Sequence, residues 1–437
     1  MLSRADNELM CRVGPGTGMG AAMRRFWIPA LLSADLPAPD CDPRRVELLG
    51  ESFVAFRDTN GNVGLLDEFC CHRNASLTLG RVEGCGIRCI YHGWKFAVDG
   101  TVMETPNVAD PNFKNRFKAR AYPVREAGGF IWTYLGSVEQ QPAFPNWPWF
   151  DLPASNRLNA VAVVECNYVQ VLEGLVDSSH LSVLHFGQLA ASGDTDLDFA
   201  KVTSHMQFDA APRIEAETTD FGFHYCAQRK IATEAGERVE ARVTAFLPPF
   251  VVANPNKDLW FAVVPISDDR TLFHHVWFDS ETRFGEEPLR SQQLKFVGLD
   301  AEALDRHGMS LATCDSDRRP GYANNFHQSR DALRKGHFTG LHSFTQEDMA
   351  VAASAGVLRD RTKEMLSTAD IAIVHLYRTL LACARQGRDA QEPIGLNVDA
   401  RRITGTHGSL EPGVNWRTLV PAHRSPGGGP QNASASG

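Results

Sequence analysis

Two short cysteine–histidine pairs near the start of this chain constrain its fold more than any other feature. The first pair is Cys70 and His72, the second is Cys89 and His92, and sixteen residues separate His72 from Cys89. Two thiols and two imidazoles this close in sequence predict four ligands of a metal centre. A structural zinc site, the simplest alternative, usually pairs cysteine with cysteine and histidine with histidine. Here each loop supplies one of each, which favours a two-iron centre with two thiolates on one iron and two imidazoles on the other.

Hairpin signals surround these pairs and divide the chain. Strand-like segments 51–56 and 63–66 flank Asn60-Gly61, and segments 94–98 and 101–104 flank Asp99-Gly100. Both dipeptides are typical of two-residue β-hairpin turns. Three prolines within 141–150 exclude helix and interior strand, so they predict a domain boundary. We expect a lead-in at 1–25, a small all-β domain at 26–140, a second domain at 141–420 and a disordered tail at 421–437.

The motifs C-C-H-R from residue 70 and C-I-Y-H-G-W from residue 89 resemble the cluster-binding motif of Rieske proteins. The resemblance implies a Rieske [2Fe-2S] cluster with Cys70, His72, Cys89 and His92 as its ligands. Neutral imidazoles in place of thiolates make reduction easier, which raises the potential. Cys71 departs from the pattern because many such proteins have proline there, and we predict no disulfide beside the cluster.

A second possible metal site lies in the apolar segment 167–186, where Asp177, His180 and His185 follow the pattern D-x2-H-x4-H. Asp177 and His180 share a helix face, but His180 and His185 lie about 140° apart on an ideal helix. The segment must therefore bend for both imidazoles to reach one metal. A buried helix with two satisfied histidines is the alternative. Two histidines and a carboxylate, however, are typical of non-haem Fe(II) oxygenases.

Together the two motifs make the chain similar to the large (α) subunit of a Rieske non-haem iron aromatic-ring-hydroxylating oxygenase, in the phthalate 4,5-dioxygenase-like branch. The resemblance implies an α+β fold, with the all-β Rieske domain followed by an α+β helix-grip catalytic domain that has a central antiparallel sheet. It also implies a mononuclear Fe(II) held by His180, His185 and a distant aspartate. Asp348 fits that place and Glu347 is the alternative, because neighbours on a helix point about 100° apart and only one can face the iron.

The resemblance further implies a route for electrons. Asp177 would hydrogen-bond His180 of its own site and His92 of the partner subunit, which implies a head-to-tail homotrimer or a stacked hexamer. The sequence has no dinucleotide-binding fingerprint, so a separate NAD(P)H-dependent flavin or iron–sulfur reductase would supply the electrons. The implied reaction is the O2-dependent hydroxylation of a phthalate-like or benzoate-like aromatic carboxylate to a cis-dihydrodiol.

Arginine is the natural bidentate partner of a substrate carboxylate. Arg242, which opens the strand-like segment 242–247, is the first candidate, and Arg229 and Arg213 follow. For each of them a surface ion pair is the alternative. A single strong grip of this kind favours a monocarboxylate over a phthalate.

Composition narrows the remaining classes. Lys and Arg total 44 against 52 Asp and Glu, and this net charge of −8 argues against a general nucleic-acid binder. No run approaches 18 apolar residues, and segment 1–25 has no continuous apolar core, so we expect no membrane span, no signal peptide and a cytoplasmic location. Two alternatives stay open: a monooxygenase or O-demethylase with the same metals, and a Rieske electron-transfer protein that lacks the second iron.

Overall fold

A computed structural model describes residues 2–192, 197, 205–233, 236–255 and 259–420. The lead-in forms two short helices, α1 (Arg4–Cys11) and α2 (Gly18–Met23), capped by the side chains of Ser3 and Thr17. The tail predicted at 421–437 lies outside the described residues.

The first domain is built from three small antiparallel sheets, ordered β1-β10-β9, β2-β3-β4 and β5-β6-β7-β8. Their strands are β1 (Trp27–Leu32), β2 (Arg44–Leu48), β3 (Glu51–Arg57), β4 (Val63–Asp67), β5 (Arg81–Glu83), β6 (Gly86–Arg88), β7 (Lys95–Phe96), β8 (Val102–Glu104), β9 (Val124–Ala127) and β10 (Phe130–Tyr134). Both predicted hairpins are confirmed as β3–β4 and β7–β8. Gly61 and Gly100 turn them with φ of +84° and +83°, which a side chain would resist.

The second domain is organised around one eight-stranded antiparallel sheet. Its order is β11-β17-β16-β15-β14-β13-β12, and β18 pairs with β14. These strands are β11 (Arg157–Val164), β12 (Arg213–Thr218), β13 (Phe223–Thr233), β14 (Gly236–Leu247), β15 (Val251–Asn254), β16 (Leu259–Pro265), β17 (Thr271–Phe278) and β18 (Thr406–Leu410). The predicted antiparallel sheet is thus confirmed.

Helices cover this sheet and carry the second candidate metal site. They are α3 (Tyr168–Val176), α4 (Leu181–Leu184), α5 (Phe186–Ser192), α6 (Leu289–Val297), α7 (Ala301–Arg306), α8 (Arg330–Arg334), α9 (Phe344–Ser354) and α10 (Ile371–Arg388). The apolar helix α3 packs on β15 and β16 and contacts both α9 and α10. Within the described part of the chain, no helix has both the length and the apolar composition needed to cross a membrane.

The junction between the two domains is a buried aromatic cluster. Trp147 and Trp149 come from the proline-rich segment 141–150, which is irregular apart from a short 3-10 turn. Their rings lie 5.4 and 5.2 Å from that of Trp260 on β16, and Trp132 on β10 packs 6.1 Å from the same ring. One hydrophobic core therefore runs from the first domain into the second.

Candidate functional site

Two loops of the first domain bring the four predicted cluster ligands together. Cys70 and Cys89 are buried, and the rings of His72 and His92 are half-buried and meet edge to face with centroids 4.5 Å apart. The second loop turns at Gly93, whose φ is +76° and where a Cβ would lie 2.7 Å from the Pro106 side chain. This loop geometry therefore depends on glycine.

The chemistry of these four donors fits a Rieske cluster. Burial, with a smaller contribution from neighbouring Cys89, raises the pKa of the Cys70 thiol to about 12. A thiol in this environment needs a nearby cation to become a thiolate ligand. The His72 ring stacks on Trp94 at 4.6 Å, and Trp94 is fixed by donating from Nε1 to Asn107 Oδ1 at 2.8 Å.

A break in the helix creates the second site. Helix α3 ends at its C-cap Asp177, which has an extended conformation (φ −95°, ψ 120°), and His180 and His185 then flank the single turn α4. The bend predicted from the histidine spacing is thus a complete interruption of the helix. It lets both imidazoles face Asp348 on α9, whose Oδ1 lies 2.9 Å from His185 Nε2 and 3.5 Å from His180 Nε2.

Each imidazole is held from behind by a carboxylate. Asp177 Oδ2 lies 3.3 Å from His180 Nδ1, and Glu347 Oε2 lies 2.7 Å from His185 Nδ1. Both Nε2 atoms therefore remain for a metal. The Thr339 hydroxyl donates to Glu347 Oε1 at 2.6 Å. This placement argues against Glu347 as the third ligand, which the sequence left open as the alternative. The Glu347 carboxylate lies behind His185, whereas Asp348 faces both histidines.

These residues can hold a mononuclear metal ion. One donor atom from each of His180, His185 and Asp348 lies within 4.8 Å of the other two. Burial opposes charge at Asp348, yet the two histidines keep its pKa well below the usual range. Burial also opposes protonation of His180, but Asp177 and Asp348 raise its pKa to about 10. The site therefore attracts positive charge, and its two imidazoles and one carboxylate are the donor set preferred by non-haem Fe(II).

A cavity of about 130 Å³ adjoins this triad, and one face of the sheet forms its wall. Strand pairing places His275 beside Phe261, Phe261 beside Val252, and Val252 beside Phe246. Arg242 and Phe246 both belong to β14. Because side chains alternate along a strand, Arg242 lies on the same face of the sheet as Phe246. The apolar lining includes Met206, Leu259, Phe261, Phe273, Trp277, Val297 and Phe344, and the polar lining includes Tyr225, Arg242, Thr244, Asn254 and His275. Of these polar residues, the sequence analysis identified Arg242 alone.

The three predicted substrate arginines have different places. Arg242 is 3% exposed and lines the cavity, and burial together with Arg229 lowers its pKa to about 10, so it stays charged at neutral pH. Arg229 is buried but donates to the carbonyl of Ser178 at 2.6 Å, so it supports the turn after α3. Arg213 lies exposed on the edge strand β12 in an ion pair with Glu215. Of the three arginines, Arg242 is the one that lines the cavity, whereas Arg229 and Arg213 do not.

A second cavity of about 190 Å³ also reaches Asp177, His180 and Asp348. It is bordered by Glu173, which is buried and bonded to Arg361 and to the Tyr377 hydroxyl. Asp177 therefore borders two cavities, one with the buried arginine Arg242 and one without it.

Comparison with known proteins covers most of the chain. Residues 26–123 match the Rieske [2Fe-2S] domain, and residues 133–426 match the family described as LigXa C-terminal domain like. The chain is 35% identical over 432 residues to the phthalate 4,5-dioxygenase oxygenase subunit of Pseudomonas putida, covering 95% of this chain and 94% of that protein. It is also 35% identical over 431 residues to the 3-chlorobenzoate-3,4-dioxygenase oxygenase subunit of Comamonas testosteroni, covering 94% and 96%.

A solved structure has the same fold. Pseudomonas putida CBB5 NdmA with caffeine superposes with a TM-score of 0.58 at 16% sequence identity, covering 87% of this chain and 96% of that one. At this identity the likeness concerns the fold alone.

Proposed function

This chain belongs to the Rieske non-haem iron oxygenases, as an oxygenase subunit with a Rieske [2Fe-2S] cluster and a mononuclear iron, and on that premise we propose that it dihydroxylates an aromatic monocarboxylate. The observation that carries this proposal is a buried arginine, Arg242, in a largely apolar cavity that reaches the His180–His185–Asp348 triad. A guanidinium that lines such a cavity can bind a carboxylate in a bidentate geometry.

The size of the cavity supports a substrate with one ring. A cavity of about 150 Å³ in another protein binds benzene, and this one measures about 130 Å³. Arg242 holds the carboxylate, the walls formed by Phe261, Phe273 and Trp277 enclose the ring, and the triad lies beside it. These aromatic walls also exclude bulk water from the reacting face.

The two cofactors have separate roles in the redox reaction. When bound, the cluster supplies electrons and the mononuclear iron provides the site at which O2 is activated. In our proposal Cys70, Cys89, His72 and His92 hold the cluster, and His180, His185 and Asp348 hold the iron. Asp177 orients the His180 ring through Nδ1.

Electrons are proposed to pass between neighbouring subunits in a head-to-tail homotrimer, alone or stacked as a hexamer. Phe69, Ile90 and Tyr91 surround the cluster ligands and are all exposed, as expected of a surface that another chain covers. His92 of the partner subunit would then approach Asp177 through the second cavity. A separate NAD(P)H-dependent flavin or iron–sulfur reductase completes the system, and we propose a cytoplasmic location.

The experiment that tests the function is product analysis under ¹⁸O2 with reductase, NADH and a panel of benzoates and phthalates. We expect a benzoate-type acid to give a cis-dihydrodiol carrying two labelled atoms. One labelled atom, or loss of formaldehyde from a methoxy group, would identify the monooxygenase or O-demethylase alternative. No turnover of any aromatic acid, with both metal sites filled, would refute the proposal.

A further inference from the structure

Among the polar side chains that line the cavity is His275, to which the proposed reaction gives no role. His275 lies on β17, is 5% exposed and lines the same cavity as Arg242 and the triad. Its ring stacks on Trp277 with centroids 5.5 Å apart and an interplanar angle of 15°, and the Phe261 ring meets it edge-on at 5.0 Å. The imidazole is therefore held in one orientation.

The hydrogen bonding of His275 determines which nitrogen carries its proton. Nδ1 lies 3.2 Å from the backbone carbonyl of Phe273, which can only accept, so Nδ1 is the donor. Burial lowers the pKa of His275 to about 3, so the ring is neutral at working pH. Nε2 therefore presents a bare lone pair, and no group among the described residues donates a hydrogen bond to it.

Arg242 and His275 approach the cavity from different strands and have opposite chemistry. Arg242 is on β14 and His275 on β17, with β15 and β16 between them, which separates their backbones laterally by roughly 14 Å at 4.7–4.9 Å per strand. The guanidinium donates to and attracts an anion, whereas the lone pair on Nε2 repels an anion and accepts a hydrogen bond. A ring bound with its carboxylate at Arg242 thus directs its far side towards an acceptor.

This inference rests on the proposed function. We propose that the substrate is an aromatic monocarboxylate that also carries a hydrogen-bond donor, either a ring hydroxyl or an amino group. This donor binds Nε2 of His275. Such a donor would pair with an acceptor that has no hydrogen-bond partner among the described residues. It would also fix the ring at both ends, so that one edge of the ring faces the triad. His275 is then a specificity-determining residue for the proposed reaction.

Binding of matched ligands to the holoenzyme tests this directly. Benzoate, 3- and 4-hydroxybenzoate and the corresponding methoxybenzoates are titrated anaerobically by calorimetry into protein with both metal sites filled. All five present the same carboxylate, but only the hydroxybenzoates can donate. We expect one hydroxybenzoate to bind at least about tenfold more tightly than benzoate and its methoxy analogue, because a site built for a donor discriminates against ligands that lack it.

Variants test whether His275 is the group that recognises the hydrogen-bond donor of the ligand. His275→Phe should reduce the preference for hydroxybenzoate to within about twofold, whereas His275→Gln, whose carbonyl can accept, should retain part of it. His274→Phe, on the opposite face of β17, is the matched control and should keep the preference. Using both His275 variants separates a lost acceptor from a misfolded cavity.

The outcomes separate this inference from the proposed function. Equal binding of benzoate and both hydroxybenzoates to the wild type would overturn the inference and leave the proposed function standing. A preference for hydroxybenzoate that persists in His275→Phe would also overturn the inference, since another group or a bound water would then accept the hydrogen bond from the ligand. Failure of every benzoate to bind the wild type would refute the proposed function itself.

Discussion

The contact between Glu347 and His185 leads to a quantitative prediction about iron retention. The two side chains are almost wholly buried, and Glu347 Oε2 accepts from His185 Nδ1 at 2.7 Å. In Glu347→Gln the amide oxygen can still accept this bond, and the amide NH2 can donate to the Thr339 hydroxyl, so the shape is kept. What is lost is the charge on the acceptor.

The magnitude follows from the difference between two kinds of hydrogen bond. A bond to a charged group contributes about 1.5–3 kcal/mol and a neutral one about 0.5–1.5 kcal/mol, so the substitution should weaken Fe(II) binding by about 1.2 kcal/mol, or a little under tenfold. Glu347→Ala removes the orientation of the ring as well, and should approach the hundredfold loss that is typical when an outer partner of a metal ligand is removed.

The assay is anaerobic equilibrium with a competing Fe(II) chelator, with the mononuclear iron counted after separation. The visible spectrum of the Rieske cluster serves as an internal control and should be unchanged. Glu165→Gln is the matched control, because Glu165 is a largely buried carboxylate paired with Arg270 outside both cavities. An unchanged Kd for Fe(II) in both Glu347 variants would refute the reasoning that Glu347 positions His185.

Three further predictions concern the other parts of the site. Arg242→Met should raise the KM for an aromatic carboxylate by at least about tenfold at unchanged iron content. The measurement is steady-state turnover, with the exposed Arg213→Met as the control variant. Equal effects of the two substitutions would count against Arg242 as the carboxylate-binding residue. Asp177→Asn should slow the appearance of product in a single turnover by about 10–100-fold while both metal sites stay filled, and wild-type kinetics would remove Asp177 from the electron route. Gly93→Ala should lower the free energy of unfolding of the Rieske domain by about 1–3 kcal/mol. Gly61→Ala, with similar φ but open space around the Cβ, should cost less in the same urea titration, and equal losses would show that the Pro106 contact is unimportant.

Local patterns in the sequence were sufficient for much of this architecture. Each hairpin depends on a dipeptide at its turn, and each cluster loop depends on a cysteine and a histidine at most three residues apart. The spacing of His180 and His185 required a bend, and the structure has a helix break there. These inferences involve short stretches of chain, in which backbone geometry alone limits the conformations that the chain can adopt.

The remaining features depend on contacts between distant segments. The spacing on α9 shows that Glu347 and Asp348 cannot both face the metal, but only the direction in which α9 packs against α3 decides between them. His275 reaches the cavity because β17 lies three strands from β14, an order that no local pattern contains. From the sequence Arg229 ranks next after Arg242 as a substrate-binding candidate, yet its guanidinium donates to the turn after α3.

The tryptophan cluster at the domain junction has a kinetic consequence. With Trp147, Trp149 and Trp260 packed into one continuous core, the linker does not serve as a hinge. A tethered carrier that moves its cluster between sites would need such a hinge, so in the proposed homo-oligomer the reach of the cluster is set by how chains dock rather than by motion within one chain. Turnover per chain should then fall on dilution below the dissociation constant of that oligomer, with both metals still bound, and rise again on concentration.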